Sequence, residues 1–241
     1  MTHLRIGWVS RAAARPQNQD CVLVDGMLSV GNVAQTVHLA ATGRPVVVAV
    51  LDGMGGHRGG GVASRLAAAL LGDDPMISTE DELTERLLQC HRSVANVGAA
   101  LPGLGGMGTT IVGFHITDSD YRVFHIGDST AYRLVDGFVG ELTLPDRSAD
   151  PRMPGAHLLT RCLGVGEEAG PSIDLYPIRR PVRLLACTDG VADALDPQSL
   201  AEGLGHGTPG QAAHALCTRA QEAGTRDNVT ALVIDLTPSD D

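Results

Sequence analysis

The chain has 241 residues, a length that fits one sizeable domain with its own hydrophobic core. Its basic side chains are all arginine, and 18 of them stand against 28 acidic residues, which gives a formal net charge of −10. Because no basic stripe is visible, this charge argues against a nucleic acid or an anionic membrane as the general partner. The five cysteines are dispersed without a Cys-x-x-Cys pair, which disfavours a cysteine-based zinc site and suits a reducing compartment.

No linker-like composition divides the chain, and no repeat is visible. We therefore predict a single domain over residues 1–237 and a short disordered tail over residues 238–241. The amino terminus leads into a strand pattern without a signal peptide, and the apolar runs are too short to span a bilayer. Together these features predict a cytoplasmic protein without a membrane partner.

Short strands rich in branched side chains are predicted along most of the chain. Among them, the continuous apolar run Val46–Leu51 indicates a strand that is buried on both faces. In chain order the predicted strands cover residues 4–9, 21–24, 36–40, 46–51, 110–116, 122–126, 130–134, 138–142, 182–187 and 229–236. Several are separated by only a few residues, and Asp136 with Gly137 is a typical hairpin turn, so antiparallel pairing is expected.

Three predicted helices interrupt the strands. Residues 61–71 are rich in alanine and leucine, and a second helix opens near Thr79 with an N-cap and an acidic first turn. A third helix is predicted over residues 209–223, between Thr208 at its start and Gly224 at its end. Many strands with a few helices favour an α+β fold, in which sheets pack together and helices lie outside.

Aspartates recur at the ends of the predicted strands. Asp52, Asp128 and Asp189 follow apolar strands, whereas Asp20 and Asp227 precede strands. An Asp-Gly pair after a strand is usually only a turn. If the strand ends converge, however, two carboxylates ~4 Å apart repel by about 4 kcal/mol at an effective dielectric of about 20, and divalent cations would remove that repulsion. Oxygen ligands of this kind suit magnesium or manganese rather than zinc.

Seven short motifs occur in an order that resembles the metal-dependent serine/threonine protein phosphatase family, type 2C or PPM, in its compact bacterial form. They cover residues 15–20, 52–57, 108–110, 127–129, 159–164, 188–190 and 226–229. The resemblance implies an α-β-β-α sandwich, in which helices flank two antiparallel sheets and a dinuclear metal site lies at one end of the sheets. It also implies that a metal-bound hydroxide hydrolyses phosphoserine and phosphothreonine in proteins, in a signalling pathway with a cognate serine/threonine kinase.

The resemblance further implies roles for individual residues at two manganese or magnesium ions. Asp52 would bridge the two ions, with the carbonyl of Gly53 on one of them. Asp189 and Asp227 would be ligands of the other ion. Asp20 would be the catalytic acidic residue that orients the bridging water within the shell of the metals.

Two more residues receive roles from the resemblance, and three depart from the family pattern. Asp128 resembles the carboxylate that helps bind a third, looser ion. Arg15 resembles the guanidinium that clamps the substrate phosphate with its planar fork. Gln19 stands where many members have glutamate, Arg147 replaces a histidine, and Met54 stands where some members place a histidine.

Two rival functions stay open at the level of the sequence. One is a hydrolase of small phosphate esters, and the other is a pseudophosphatase that acts as a regulatory binding module. Gln19 and the short segment over residues 149–156, where fuller members carry a longer flap, keep the second rival open. His57 could protonate the leaving alkoxide, although a capping role at the start of the first helix is favoured. Asn228 is expected to hydrogen-bond Asp227.

Overall fold

A computed structural model describes residues 1–41, 43–54, 56–73, 77–149, 157–167 and 170–238. Two six-stranded sheets, called sheet I and sheet II, form the centre of the described chain. In spatial order, sheet I contains β11 (Phe138–Glu141), β10 (Thr130–Val135), β15 (Val182–Cys187), β16 (Val229–Pro238), β1 (Thr2–Arg11) and β4 (Val33–Ala41). Sheet II contains β14 (Ser172–Pro177), β9 (Asp120–Ile126), β8 (Ile111–Ile116), β5 (Val46–Leu51), β2 (Cys21–Val24) and β3 (Met27–Val30).

Neighbouring strands of both sheets pair antiparallel, as expected from the short connections. Two short antiparallel pairs lie beside them, β6 (Gly53–Met54) with β7 (Gly108–Thr109) and β12 (Arg147–Ala149) with β13 (His157–Leu159). The ten predicted strands are all present, with ends shifted by a few residues. The sequence prediction misses β3, β6, β7, β12, β13 and β14, because these strands are very short or lie at a sheet edge where burial leaves a weak pattern.

Helices cover the outer faces of both sheets. On sheet II lie α1 (Gly56–Gly72) and α2 (Glu80–Ala100), and on sheet I lie α3 (Asp189–Ala192), α4 (Pro197–Gly205) and α5 (Pro209–Glu222). The layers therefore follow the order helix, sheet, sheet, helix, which confirms the predicted α-β-β-α sandwich. Within the described ranges, no helix has the length and apolar character needed to cross a membrane.

The space between the two sheets holds an apolar core built largely from aliphatic side chains. Trp8, Phe114 and Tyr121 are among its largest fully buried members. Strand β5 contributes every second residue to this core and the others to the core between sheet II and its helices. This double burial explains why Val46–Leu51 is a continuous apolar run, and it confirms the prediction of a strand without a solvent face.

The helix ends follow signals that are visible in the sequence. Thr79 begins α2 with a capping box, in which its hydroxyl and the carboxylate of Glu82 each accept a backbone hydrogen bond from the other residue. Thr208 and Gln211 form the same arrangement at α5. Helix α4 is missed by the prediction, although Asp196 caps it and a proline follows. Its nine residues include two glycines, which weaken the helical signal.

The carboxyl-terminal strand is longer than predicted. β16 runs to Pro238, so the first residue of the expected tail belongs to a strand, and residues 239–241 lie outside the described residues. All five cysteines are buried free thiols.

Gly7 lets α5 pack directly against β1. A Cβ atom at this position would lie 2.2 Å from the backbone nitrogen of Gly210 in the first turn of the helix. Because neither backbone can move alone, Gly7→Ala should lower the free energy of unfolding by about 1–3 kcal/mol, measured by urea denaturation. Gly105→Ala is the matched control, since a Cβ there meets nothing within 4 Å. Equal stability of the two variants would contradict this packing.

Candidate active site

Five aspartates meet at one end of the sandwich. On sheet II, Asp20 directly precedes β2, Asp52 directly follows β5, and Asp128 follows β9. On sheet I, Asp189 follows β15 and Asp227 precedes β16. Four of these carboxylates line a cleft of about 610 Å³, and the fifth, Asp20, is buried next to them. The structure thus brings together the five carboxylates that the sequence singles out.

Asp20 is the most deeply buried of the five, with 2% of its surface exposed. Its Oδ2 accepts hydrogen bonds from the hydroxyls of Thr230, at 2.5 Å, and Thr188, at 3.3 Å. Its Oδ1 is buried and has no hydrogen-bond partner among the described residues. Burial raises the pKa of Asp20 to about 7, against the opposing effect of the Thr230 hydrogen bond. The charges of Asp189 and Asp227 raise this pKa further.

The two threonines are functional neighbours that the sequence analysis does not single out. Thr188 directly precedes Asp189, and its hydroxyl also accepts a hydrogen bond from the backbone nitrogen of Thr230. Thr188 and Thr230 lie close to the predicted ligands Asp189 and Asp227 in the sequence, which is the one local signal for them. Their shared contact with Asp20 is visible only in the three-dimensional structure. This contact ties the start of β2 in sheet II to two strands of sheet I.

Asp52 and Asp189 keep part of their surface in the cleft but are strongly desolvated. Burial raises the pKa of Asp52 well above its usual range, and the neighbouring carboxylates raise it further. Burial, followed by the charges of Asp128 and Asp227, raises the pKa of Asp189 to about 6. The Oδ1 atom of Asp189 is buried without a hydrogen-bond partner in the described chain. Asp189 therefore lacks part of the compensation that a buried negative charge requires.

Glycines bring the backbone close to this cluster. A Cβ at Gly53 would lie 2.2 Å from the carbonyl oxygen of Gly60 and 2.8 Å from that of Gln19. A Cβ at Gly60 would lie 2.3 Å from the carbonyl oxygen of Gly53. The absence of side chains at both positions lets the backbone of Gly53, which lines the cleft, pack directly against the first part of α1.

Arg15 lies at the mouth of the cleft and pairs with Asp227. Its Nε donates to Oδ1 at 3.1 Å and its Nη2 donates to Oδ2 at 2.7 Å, which is a bidentate geometry. The Arg15 side chain is 57% exposed, and the Asp227 hydrogen bond raises its pKa. The family resemblance implies separate partners for these residues, a phosphate for Arg15 and a metal for Asp227. A guanidinium fork matches a carboxylate as well as a phosphate, which explains the observed pair.

Asn228 anchors the loop between β1 and β2. Its Oδ1 accepts a hydrogen bond from the backbone nitrogen of Gln19 at 2.9 Å, and its Nδ2 donates to the carbonyls of Ala12 at 3.1 Å and Gln17 at 3.0 Å. The expected hydrogen bond to Asp227 is present, but the backbone nitrogen of Asn228 donates it, at 2.8 Å. The side chain instead holds the loop that carries the arginine of the cleft.

Arg147, one of the three departures from the family pattern, lies near Asp128. Arg147 donates from Nη1 to both carboxylate oxygens of Asp193, at 2.8 and 2.7 Å, and so connects β12 to the residue that follows α3. Burial raises the pKa of Asp128, and the Arg147 charge opposes that rise. The side chain of His57 and residues 150–156 of the short segment lie outside the described residues.

The chemistry of the donors can be compared with the metal that the sequence analysis implies. No histidine or cysteine lines the cleft among the described residues, and the polar groups are mainly carboxylate, carbonyl and amide oxygens. Such a set suits magnesium or manganese. Within the described ranges, no three acidic, histidine or cysteine side chains are already gathered around one point.

Comparison with known proteins decides the family. Residues 34–216, more than half of the chain, match the family model described as protein phosphatase 2C. The chain belongs to the protein phosphatase 2C family. This result confirms the resemblance that the seven ordered motifs indicate.

Curated relatives of this protein phosphatase 2C member are bacterial. The serine/threonine protein phosphatase PstP of Mycobacterium tuberculosis is 30% identical over 211 residues, which are 80% of this chain and 41% of PstP. The chain thus spans about two fifths of the length of that relative. The serine/threonine phosphatase Stp of Listeria monocytogenes is 28% identical over 217 residues, which are 80% of this chain and 84% of Stp.

Solved structures extend the similarity to nearly the whole chain. The catalytic domain of PstP, crystallised in complex with two manganese ions, superposes with a TM-score of 0.80 at 30% identity and covers 98% of this chain and 100% of that one. PppA, described as a regulatory component of the type VI secretion system of Pseudomonas aeruginosa, superposes with a TM-score of 0.80 at 26% identity and covers 96% of each chain.

The raised carboxyl pKa values predict an unusual stability profile for the protein without bound cations. A carboxyl group whose pKa is higher in the folded state than in the unfolded state binds its proton more tightly on folding, so stability falls as pH rises between the two values. In excess chelator, the free energy of unfolding should therefore be higher near pH 4, the unfolded value, and fall as pH rises to about 7, the folded value of Asp20.

This profile can be measured by thermal denaturation in chelator between pH 4.5 and 7.5. Saturating Mn²⁺ is the control, since cations bound only to the folded state should flatten or reverse the slope. Stability that rises with pH in chelator, with a midpoint unaffected by Mn²⁺, would contradict the electrostatic description of the cleft.

Proposed function

We propose that the chain is a metal-dependent phosphatase that hydrolyses phosphoserine and phosphothreonine in proteins. The observation that carries this proposal is the convergence of five aspartates and Arg15 at one cleft of a protein phosphatase 2C fold. Relatives and neighbours that are named serine/threonine phosphatases support the reaction class and the phosphoprotein substrate. The two manganese ions in the PstP catalytic domain support a dinuclear site in this chain as well.

The residues present fit two manganese or magnesium ions. Asp52 and the Gly53 carbonyl would hold one ion, and Asp52, Asp189 and Asp227 would hold the other. Support comes from the buried, unpartnered Oδ1 atoms of Asp20 and Asp189 and from the position of Gly53 in the lining of the cleft. Carboxylates with raised pKa values repel one another, and cations would remove this cost.

A third ion is a finer proposal that concerns Asp128. This carboxylate lines the same cleft and is itself desolvated, so it could contribute to a looser site. The positive charge of Arg147 opposes the rise that burial causes in the pKa of Asp128, and its guanidinium already donates hydrogen bonds to Asp193. We therefore place the two tighter ions at the other aspartates and assign any third ion the lower affinity.

The reaction that we propose is a direct displacement at phosphorus. Bound cations supply an acidic water as the nucleophile at neutral pH. Asp20, held through Oδ2 by two threonine hydroxyls, offers its free Oδ1 as the acceptor that orients this water. The planar fork of Arg15 leaves Asp227 and holds two phosphate oxygens. Water adds to phosphorus, the ester P–O bond breaks, and the serine or threonine oxygen is protonated, which releases inorganic phosphate.

The cleft also bears on the two rival functions. Hydrolysis of small phosphate esters would need the same groups, and peptide substrates are distinguished from them only by a direct comparison of rates. A pseudophosphatase would be expected to lose part of the carboxylate set, whereas Asp20, Asp52, Asp189 and Asp227 are all present together with Arg15. The neutral Gln19 also lines the cleft and can still hydrogen-bond water.

We further infer that the enzyme acts in the cytoplasm on proteins phosphorylated by a serine/threonine kinase of the same bacterial cell. The support is the set of five buried free thiols, which suits a reducing compartment, and the naming of the relatives as serine/threonine phosphatases. The net charge of −10 supports the absence of a nucleic-acid partner.

Metal dependence is the first test of the proposed function. Release of phosphate from a phosphothreonine peptide should need Mn²⁺ or Mg²⁺ and stop in excess chelator, and Ca²⁺ should substitute poorly because it prefers a larger coordination sphere. Asp189→Asn should abolish turnover and reduce the thermal stabilisation by Mn²⁺, since it removes a ligand. Asp174→Asn, at an exposed position of β14, is the matched control. Full activity in excess chelator would sink the proposal.

Arg15 separates substrate binding from metal binding. Arg15→Ala should lower kcat/KM by roughly 10–100-fold through KM, the scale of losing charged hydrogen bonds, and Arg15→Lys should restore only part of it. Because the exposed Arg15–Asp227 pair is worth at most about 1 kcal/mol, Mn²⁺ affinity should rise by no more than about fivefold in Arg15→Ala.

Steady-state kinetics with parallel Mn²⁺ titration decide this prediction. Arg226→Ala is the matched control, since Arg226 is exposed and its substitution removes an equal charge from the same end of the molecule. Wild-type KM in Arg15→Ala would show that the guanidinium does not bind the substrate phosphate, while leaving the metal assignments intact.

A further inference from the structure

A second cavity lies at the end of the sandwich opposite to the carboxylates. It has a volume of about 450 Å³ and includes Tyr121 near the start of β9 and Val182 at the start of β15. These two strands run from the cavity to Asp128 and Asp189 respectively. The cavity is therefore separated from the proposed active site by the length of both sheets. Its volume falls in the range of sites that hold small organic ligands, roughly 300–1,000 Å³.

Positive charge is concentrated in this cavity although the chain as a whole is acidic. Arg133, Arg179 and Arg180 line it, and the only carboxylate among its lining residues is Asp136. Asp136 lies 3.9 Å from Arg180, and both side chains are largely exposed, so this ion pair is weak. Arg179 forms no hydrogen bond or ion pair with the described residues. The cavity thus keeps an excess of positive charge that no part of the described chain neutralises.

A buried hydroxyl adds an independent sign of a ligand. Tyr121 is 1% exposed and lines the cavity. The guanidinium of Arg133 lies close enough to oppose the rise that burial causes in the pKa of this hydroxyl, but the described chain provides no acceptor for the hydroxyl proton. The Tyr121 ring stacks on Tyr176 at 5.4 Å, and the guanidinium of Arg133 lies 5.5 Å from the Tyr176 ring centre. Buried polar groups are normally paired with a hydrogen-bond partner. The Tyr121 hydroxyl could therefore donate to an acceptor on a ligand, next to the guanidinium of Arg133 that the Tyr176 ring holds in place.

The arginine-bearing segment is held rigidly. Arg179 and Arg180 lie between Pro177 and Pro181 in the connection from sheet II to sheet I. Between them and β14, Ile178 inserts its side chain into the core between the sheets and donates its backbone N–H to the Ser119 carbonyl at 2.8 Å. Prolines and this anchor limit the freedom that binding would otherwise have to remove.

We propose that this cavity is a binding site for a small organic anion that carries a phosphate or carboxylate group. The anionic group would accept hydrogen bonds from Arg133, Arg179 and the Tyr121 hydroxyl, and its apolar part would lie against Leu134 and Val182. Phosphate and carboxylate share the acceptor geometry that guanidinium groups recognise. The proposal is independent of the catalytic assignment, because none of these residues lines the carboxylate cleft.

Side-chain ¹⁵N NMR of the Mg²⁺-loaded protein tests the site. Phenylphosphonate, which is not hydrolysed, is titrated at constant ionic strength, with benzoate and inorganic phosphate as parallel arms. Saturable shifts of the Arg133 and Arg179 Nε–H signals are expected, with weaker binding of inorganic phosphate because it lacks an apolar part. The relative affinities of phenylphosphonate and benzoate identify the preferred anionic group. The Arg15 signal reports separately on the catalytic cleft, so failure at one site is distinguishable from failure at the other.

Variants link the shifts to the proposed contacts. Arg179→Gln and Tyr121→Phe should each weaken phenylphosphonate binding at least fivefold, and Tyr121→Phe keeps the ring and therefore the packing of the core. Arg92→Gln, on α2, removes the same charge from another face and should leave affinity unchanged. Shifts that are reproduced by equal concentrations of NaCl, or affinity that is unchanged in both cavity variants, would overturn the proposal.

Discussion

Mutual repulsion among buried carboxylates is the constraint on which the rest of this structure depends. Burial raises the pKa values of Asp20, Asp52 and Asp189, and the charges of other aspartates in the cluster raise them further, so the end of the sandwich is electrostatically costly in the absence of cations. Two fully packed sheets hold these groups in place, because neither sheet alone supplies all five aspartates. The large apolar core between the sheets is therefore also the scaffold that keeps the site from relaxing apart.

The contacts that organise the cleft are distributed over distant parts of the chain. Asn228 fixes the loop of Gln17 and Gln19, and the hydroxyls of Thr188 and Thr230 fix Asp20. These side chains are neutral, so they fix the positions of the charged groups without adding charge to the cleft. Residues that surround a metal or catalytic centre usually have this role.

Much of the fold follows from local patterns, whereas the site follows only in part. The double burial of Val46–Leu51 and the capping box at Thr79 each depend on residues that are close together in the chain, so the sequence predicts them. Edge strand β14 and the glycine-containing α4 leave weaker patterns and are missed. Strand ends and family motifs predict the carboxylates, but the ion pair between Arg15 and Asp227 joins positions far apart in the chain. No local pattern encodes such a contact.

The central place of β16 in sheet I has a consequence for how the protein matures. This strand lies between β15 and β1, so the amino-terminal strand has no partner on that side until residues 229–238 have been synthesised. Asp227 and Asn228 are supplied just before the same strand. A chain in which residues 227–238 have not yet been synthesised therefore holds an unfinished sheet and lacks one of the five aspartates of the cleft. Folding of this half of the sandwich depends on contacts of high sequence separation, which slows it.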